Sequence, residues 1–193
     1  GSGKTIVATI AMVATALTGK QAALMVPTEI LAEQHMLTIE KLIQGTPLKA
    51  VLLTGSMNRS QKKRKELLAQ IESGEANLVI GTHALFQQDV NFKDLAFVVI
   101  DEQHRFGVQQ RQALAGKGAG VNVLQMTATP IPRTLAITAF GEMDTSILSE
   151  IPRGRQPIKT SWVREQEMEQ IFNFVERQIQ EGRQAYMISP LIE

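Results

Sequence analysis

Short, uninterrupted apolar runs recur along the sequence, separated by stretches of helical length. Ala22–Val26, Ala50–Leu53 and Ala96–Ile100 carry no polar side chain and Asn77–Ile80 only its first residue, while Val121–Met126, with Asn122 and Gln125, reads as a further strand. A strand with one wet face alternates polar and apolar residues; these runs do not, which is the pattern of strands buried on both faces. Thr5–Leu17 is rich in Ala, Val, Ile and Leu and reads as a helix, with Gly19 placed as its stop. Thr28 caps a second helix running to about Ile43, and Ser60 opens a third that closes near Gly74. Val108–Leu114 also reads as helical, as does Ile131–Phe140, where Pro130 and Pro132 suit a helix start because an N–H is not needed there. The alternation predicts an α/β fold, a parallel sheet covered by helices on both faces.

Composition excludes several classes of function. With 20 basic and 19 acidic side chains among 193 residues, the net charge is +1, so this is neither a cationic tail nor a strongly basic nucleic-acid module. The 44% hydrophobic and 20% charged fractions match a folded globular chain rather than a disordered one. No run approaches the roughly 18 apolar residues of a membrane span. The first residues, Gly1-Ser2-Gly3-Lys4-Thr5, do not form a secretory leader. Cysteine is absent, which removes disulfides, thiolate metal sites and cysteine nucleophiles together. A cytoplasmic protein with no membrane attachment is the expectation.

The character of the sequence changes near Glu150. Two prolines, a glycine and two arginines fall within Ile151–Pro157, which reads as a linker. Residues 1–150 are expected to form one domain and 151–156 the linker. Residues 157–193 would start a second domain, with a strand over Ile158–Val163, an amphipathic helix from about Glu165 to Glu181 and a strand over Ala185–Ser189. So few residues cannot close an α/β domain, since one β-α-β unit alone uses about 30. Both ends therefore read as cut, the first inside a phosphate loop and the second inside this domain, and the isolated piece is expected to be inactive.

Two clusters carry chemistry. Gly1-Ser2-Gly3-Lys4-Thr5 matches the end of a G-x-x-x-x-G-K-[ST] phosphate loop. There glycine lets backbone N–H groups approach phosphate oxygens, Lys4 can bridge the β- and γ-phosphates of a nucleotide, and the Thr5 hydroxyl can bind Mg²⁺. A chance glycine turn would leave the same residues. Downstream, Phe97-Val98-Val99-Ile100 delivers Asp101 and Glu102 to a strand end, where parallel sheets bind ligands. Asp101 is placed to hold the Mg²⁺ shell and Glu102 to deprotonate an attacking water; the pair could instead cap a turn.

Asp101-Glu102-Gln103-His104, extended by Arg105-Phe106-Gly107-Val108, resembles the second motif of superfamily 2 helicases of the D-E-x-H class. Met126-Thr127-Ala128-Thr129-Pro130-Ile131-Pro132-Arg133-Thr134-Leu135-Ala136, Pro27–His35 and Gly81–Phe86 fit the same class. Within it the chain is similar, over essentially its whole length, to the bacterial branched-DNA helicases of recombination and fork rescue. The transcription–repair coupling translocases are the nearest alternative, and a non-motor nucleotide switch or small-molecule kinase is the alternative from another class.

The resemblance implies a RecA-like P-loop NTPase domain followed by part of a second, driven by ATP and Mg²⁺ on branched or forked DNA in the bacterial cytoplasm, with a monomer expected. It implies that Lys4, Asp101 and Glu102 are catalytic and that Gly1, Ser2, Gly3, Lys4, Thr5, Asp101 and His104 serve the nucleotide. Thr127-Ala128-Thr129, with His104, would link the nucleotide to the DNA site. DNA phosphates would be met by Thr28, Glu29, Gly81 and Thr82. The bland alternatives are a turn hydrogen bond for His104 and helix capping for Thr28, Thr127 and Thr129. His35 is read as surface or packing, Lys62-Lys63-Arg64-Lys65 as a solvated face, and Arg105 and Arg133, each following a catalytic-type motif, as electrostatic contacts to the second domain or to DNA, with the choice between these open.

Overall fold

The computed structural model describes residues 3–55, 61–102, 116–118, 120–128, 144–148 and 158–188. The expected helices Val108–Leu114 and Ile131–Phe140 and the linker 151–156 lie outside these residues. The chain divides into two units, Gly1–Ile151 and Pro152–Glu193.

The first unit holds a five-stranded sheet: β1 (Gln21–Met25), β2 (Ala50–Leu53), β3 (Leu78–Gly81), β4 (Leu95–Ile100) and β5 (Asn122–Gln125). The order is β2-β3-β1-β4-β5 and every pairing is parallel. Among the described residues three helices accompany it: α1 (Lys4–Leu17), α2 (Glu29–Ile43) and α3 (Gln61–Ser73). All five expected strands and the first three expected helices are present, each boundary within a residue or two of the sequence reading.

Handedness dictates the layers. From β1 the chain steps outward to β2 through α2, then back inward to β3 through α3. Right-handed crossovers taken in opposite directions put their helices on opposite faces. Ala22, Leu24, Val26, Leu78, Ile80 and Val99 accordingly pack against Ala8, Met12, Ala32 and Ile39 of α1 and α2. Ala23, Met25, Val79, Val98 and Ile100 pack on the other face with Ile71 of α3 and with Ala84 and Leu85 of a short 3₁₀ turn, His83–Phe86. Successive strand residues thus serve two separate cores, which is why the apolar runs do not alternate.

Polar groups lock the amino ends of the strands. Gln21 is 2% exposed at the start of β1, and its Nε2 donates to the carbonyls of Ile71 and Ala76, each at 2.8 Å. Its Oε1 accepts from the Asp94 N–H at 3.0 Å, so one amide joins α3, β1 and the entry to β4. Gln21→Leu keeps the volume but takes this partner from the Ala76 carbonyl and the Asp94 N–H, while the Ile71 carbonyl keeps the Gly74 N–H. At roughly 1–3 kcal/mol for each buried unpaired group, the loss should be about 2 kcal/mol or more. Urea unfolding of the intact protein measures it; a loss under about 1 kcal/mol would show that water repairs the gap.

The basic run on α3 is only partly a solvated face. Lys62, Lys63 and Lys65 are exposed, whereas the Arg64 side chain is 12% exposed and donates to Gln87 Oε1 and Asp89 Oδ2, both at 2.7 Å. Arg64 shares a helical stripe with Leu67, Leu68 and Ile71, which turns it toward the sheet. From the other side Lys117 Nζ donates to the carbonyls of Gln87 and Val90. Burial lowers its pKa from the ordinary lysine value, with Asp89 opposing.

In the second unit a 3₁₀ turn, Glu165–Glu167, leads into α4 (Met168–Gln180), in line with the expected helix. The expected strand Ile158–Val163 is not formed, nor is a strand over the described part of Ala185–Ser189, residues 185–188. A strand exists only through ladder bonds to a neighbour. No strand ladder forms within the described residues from 158 to 188, and Ile158, Trp162, Tyr186 and Ile188 are exposed. Among the described residues, no helix is long and apolar enough to cross a membrane.

Candidate functional site

Because all five strands point the same way, the residues that follow them share one edge. Pro27 and Thr28 follow β1, Thr54 and Gly55 follow β2, Thr82 follows β3, Asp101 and Glu102 follow β4, and Thr127 and Ala128 come after β5. Helix α1 returns to β1 through the short turn Thr18–Lys20 and so runs against it, which puts its first residues, Lys4 and Thr5, at that same edge. Ligands of open parallel sheets bind there. The fold therefore gathers Lys4, Thr5, Thr28, Glu29, Asp101, Glu102, Thr127 and Ala128. Gly1, Ser2, His104 and Thr129, together with Arg105 and Arg133, lie outside the described residues.

Gly3 caps α1 with φ 86 and ψ 6, a left-handed geometry that costs any residue with a Cβ about 1–2 kcal/mol. Its carbonyl accepts from the Ile6 and Val7 N–H groups, so the N–H groups of Lys4 and Thr5 precede the first intrahelical bonds. A glycine-turned helix start followed by a lysine can offer backbone N–H groups and a positive charge to a phosphate.

Asp101 still belongs to the sheet through its backbone, its N–H donating to the Met25 carbonyl at 2.9 Å. Its Oδ1 accepts from the Glu102 N–H at 3.0 Å. Its Oδ2 stands 3.4 Å from His35 Nε2, with the two side chains only 16% and 10% exposed. Glu102 has φ 50, the single non-glycine with positive φ among the described residues. Such strain, of order 1–3 kcal/mol, collects at functional positions.

Both carboxylate oxygens of Asp101 keep a lone pair beyond the contacts named, and with the Thr5 hydroxyl they offer hard oxygen donors. Mg²⁺ in nucleotide sites takes one or two carboxylates and completes its shell with phosphate oxygens and water. That fits this edge, where no cage of three or more His, Asp or Glu forms among the described residues. When bound, the ion would neutralise charge on the phosphates.

Along the edge toward β2, Thr28 is exposed and its Oγ1 accepts from the Leu31 N–H at 3.3 Å, capping α2 while leaving its own O–H to donate elsewhere. The Glu29 carboxylate and the His83 ring both flank Gly55. Gly81 and Thr82, expected to meet phosphates, lie beneath the surface. The Gly81 carbonyl accepts from the Val26 N–H and the Thr82 N–H donates to the Leu53 carbonyl, so the strand ends use these groups themselves. The Thr82 hydroxyl is sealed from solvent, with no hydrogen-bond partner among the described residues. Exposed His83 is the better-placed neighbour.

Two residues escaped the sequence reading. Gly55 obeys the same strand-end rule that picked out Asp101, Gly81, Thr82 and His83. His35, set aside as surface or packing near the end of its helix, lies in the middle of α2, and the spacing Ala32, His35, Ile39, Ile43 puts it on the buried stripe facing the sheet.

The chain belongs to the DEAD/DEAH box helicase family, which matches residues 1–137. Within that class it is 55% identical over 193 residues to the ATP-dependent DNA helicase RecG of Streptococcus pneumoniae and equally to that of Bacillus subtilis. Each match takes in 100% of this chain and 28% of the relative, so the chain spans under a third of the curated proteins it matches. Among solved structures, RecG bound to a three-way DNA junction aligns with TM-score 0.81 and 38% identity, covering 100% of this chain and 25% of that one. A DEAD box protein from Methanococcus jannaschii, at 23% identity and TM-score 0.55 over 73% of this chain and 40% of its own, shares the fold.

Proposed function

We propose that the protein is an ATP-dependent DNA helicase acting on branched DNA in recombination and repair, coupling ATP hydrolysis to movement along the duplex in the bacterial cytoplasm. Residues 1–150 form its ATP-binding RecA-like domain, 151–156 the linker, and 157–193 belong to a second RecA-like domain. The observation that carries this reading is the convergence of the start of α1 and the end of β4 at one sheet edge, in a chain so similar to RecG.

The residues divide the work. Lys4 offsets charge on the β- and γ-phosphates, Thr5 and Asp101 hold Mg²⁺, and Glu102 accepts the proton of a water attacking the γ-phosphate. Thr127-Ala128-Thr129 and His104 relate that site to the second domain. The N–H groups and hydroxyl at the start of α2, from Thr28 and Glu29, grip DNA phosphates. Gripping phosphates rather than bases suits a motor that must run over any sequence.

Turnover by the intact protein with and without forked DNA is the test. Forked DNA should stimulate hydrolysis, binding should weaken steeply with salt, and unbranched duplexes of different sequence should bind alike. Turnover indifferent to every DNA tried would leave a nucleotide switch or kinase as the better account.

A further inference from the structure

An imidazole on an apolar helix face is costly unless its nitrogens find partners. His35 shares the buried face of α2 with Ala32, Ile39 and Ile43, where an aliphatic side chain would sit at lower cost. What distinguishes the position is its neighbour: Nε2 stands 3.4 Å from Asp101 Oδ2. The other oxygen of that carboxylate is held by the Glu102 N–H. Asp101 is thus hydrogen-bonded by the backbone at the end of β4 on one side and faced at ion-pair distance by a side chain of α2 on the other.

The two contacts differ in what they report. The Glu102 N–H moves with the sheet edge, whereas His35 moves with α2. That helix is one continuous 15-residue rod seated on β2 and β3, and its first turn carries Thr28 and Glu29. His35 lies about 10 Å along the axis from that turn, at 1.5 Å per residue. A continuous helix of this length would carry a load on its first turn to the imidazole, and through it to the carboxylate.

We propose that His35 is a positioning residue for Asp101, through which the DNA-gripping start of α2 sets the carboxylate that serves the nucleotide. The inference rests on the reading of this chain as part of a DNA motor. Coupling of this kind is reciprocal: whatever factor DNA imposes on nucleotide affinity, nucleotide imposes on DNA affinity.

The experiment uses the intact protein and a fluorescent, non-hydrolysable ATP analogue with Mg²⁺, titrated with and without forked DNA. The readout is the ratio of the two affinities, which a merely structural role would leave unchanged even if both affinities fell. His35→Leu keeps the bulk and removes the donor, and the ratio should fall toward one by about fivefold or more. His35→Gln places an amide N–H near the position of Nε2 and should restore the ratio. Should His35→Leu fail to fold, His35→Asn serves instead, because its donor is one bond too short to reach Oδ2; it should lose the ratio while His35→Gln keeps it. Equal ratios in wild type and His35→Leu, or in His35→Gln and His35→Asn, overturn the proposal. Failure of the motor reading looks different: wild type itself would show a ratio of one together with DNA-independent turnover, and the proposal would fall with it.

Discussion

Glu102→Gln in the intact protein should bind ATP about as well as wild type and turn it over about 10² to 10⁴ times more slowly, the span that general-base catalysis contributes. The amide keeps the shape and volume of the side chain, so the ground-state complex is preserved. It cannot take the proton that an attacking water must lose. The backbone argues for the same assignment. Glu102 has φ 50, a conformation that a β-carbon disfavours and that glycine would adopt freely. Strain persists when the surroundings enforce it, and here the Glu102 N–H is tied to Asp101 Oδ1. That bond turns the chain at the end of β4 and carries the second carboxylate off the line of the strand. Analogue binding and steady-state turnover, measured on the same preparation, separate the two effects. Turnover within about tenfold of wild type would move the base elsewhere, since so small a change is below what a lost general base gives.

How much of this was legible in the sequence depended on whether local pattern or distant contact decides the matter. Strands buried on both faces announce themselves as unbroken apolar runs, and a parallel sheet then puts their ends at one edge without further information. Lys4, Asp101 and Glu102 could therefore be placed together from pattern alone. Capping is equally local, and Thr28 does cap α2. The strand expected over Ile158–Val163 had the right composition, but composition does not supply a neighbour, and the segment is not a strand. Arg64 looked like its lysine neighbours because four consecutive charges give no phase; only the stripe it shares with Leu67 and Ile71 turns it inward. His35 was hidden for another reason. Its partner lies 66 positions away in sequence, and nothing local distinguishes a buried histidine that meets a carboxylate from one that merely packs.

Gly81 is where the sequence reading and the structure make opposite predictions. Read as a phosphate contact, Gly81 would tolerate alanine in stability terms and lose DNA affinity. In the structure it is a buried residue at the end of β3, in register with Met25 on one side and Leu53 on the other. A β-carbon added there would be driven into the Leu53 carbonyl oxygen and would also press on Leu85 Cγ at 3.0 Å. Backbone cannot swing aside as a side chain can, so β2 must part from β3 or β3 must twist. Overpacking a well-filled core costs typically about 1–3 kcal/mol, and a clash with main chain belongs at or beyond the upper end. Gly81→Ala should therefore lower stability by about 3 kcal/mol or more. In a unit of this size that is roughly 6–12 °C in the thermal midpoint. DNA affinity measured well below that midpoint should change little, because the Gly81 carbonyl is already engaged by the Val26 N–H. A normal midpoint with weakened DNA binding would reverse the assignment, making the close approach at Gly81 one between backbone and phosphate rather than between two strands.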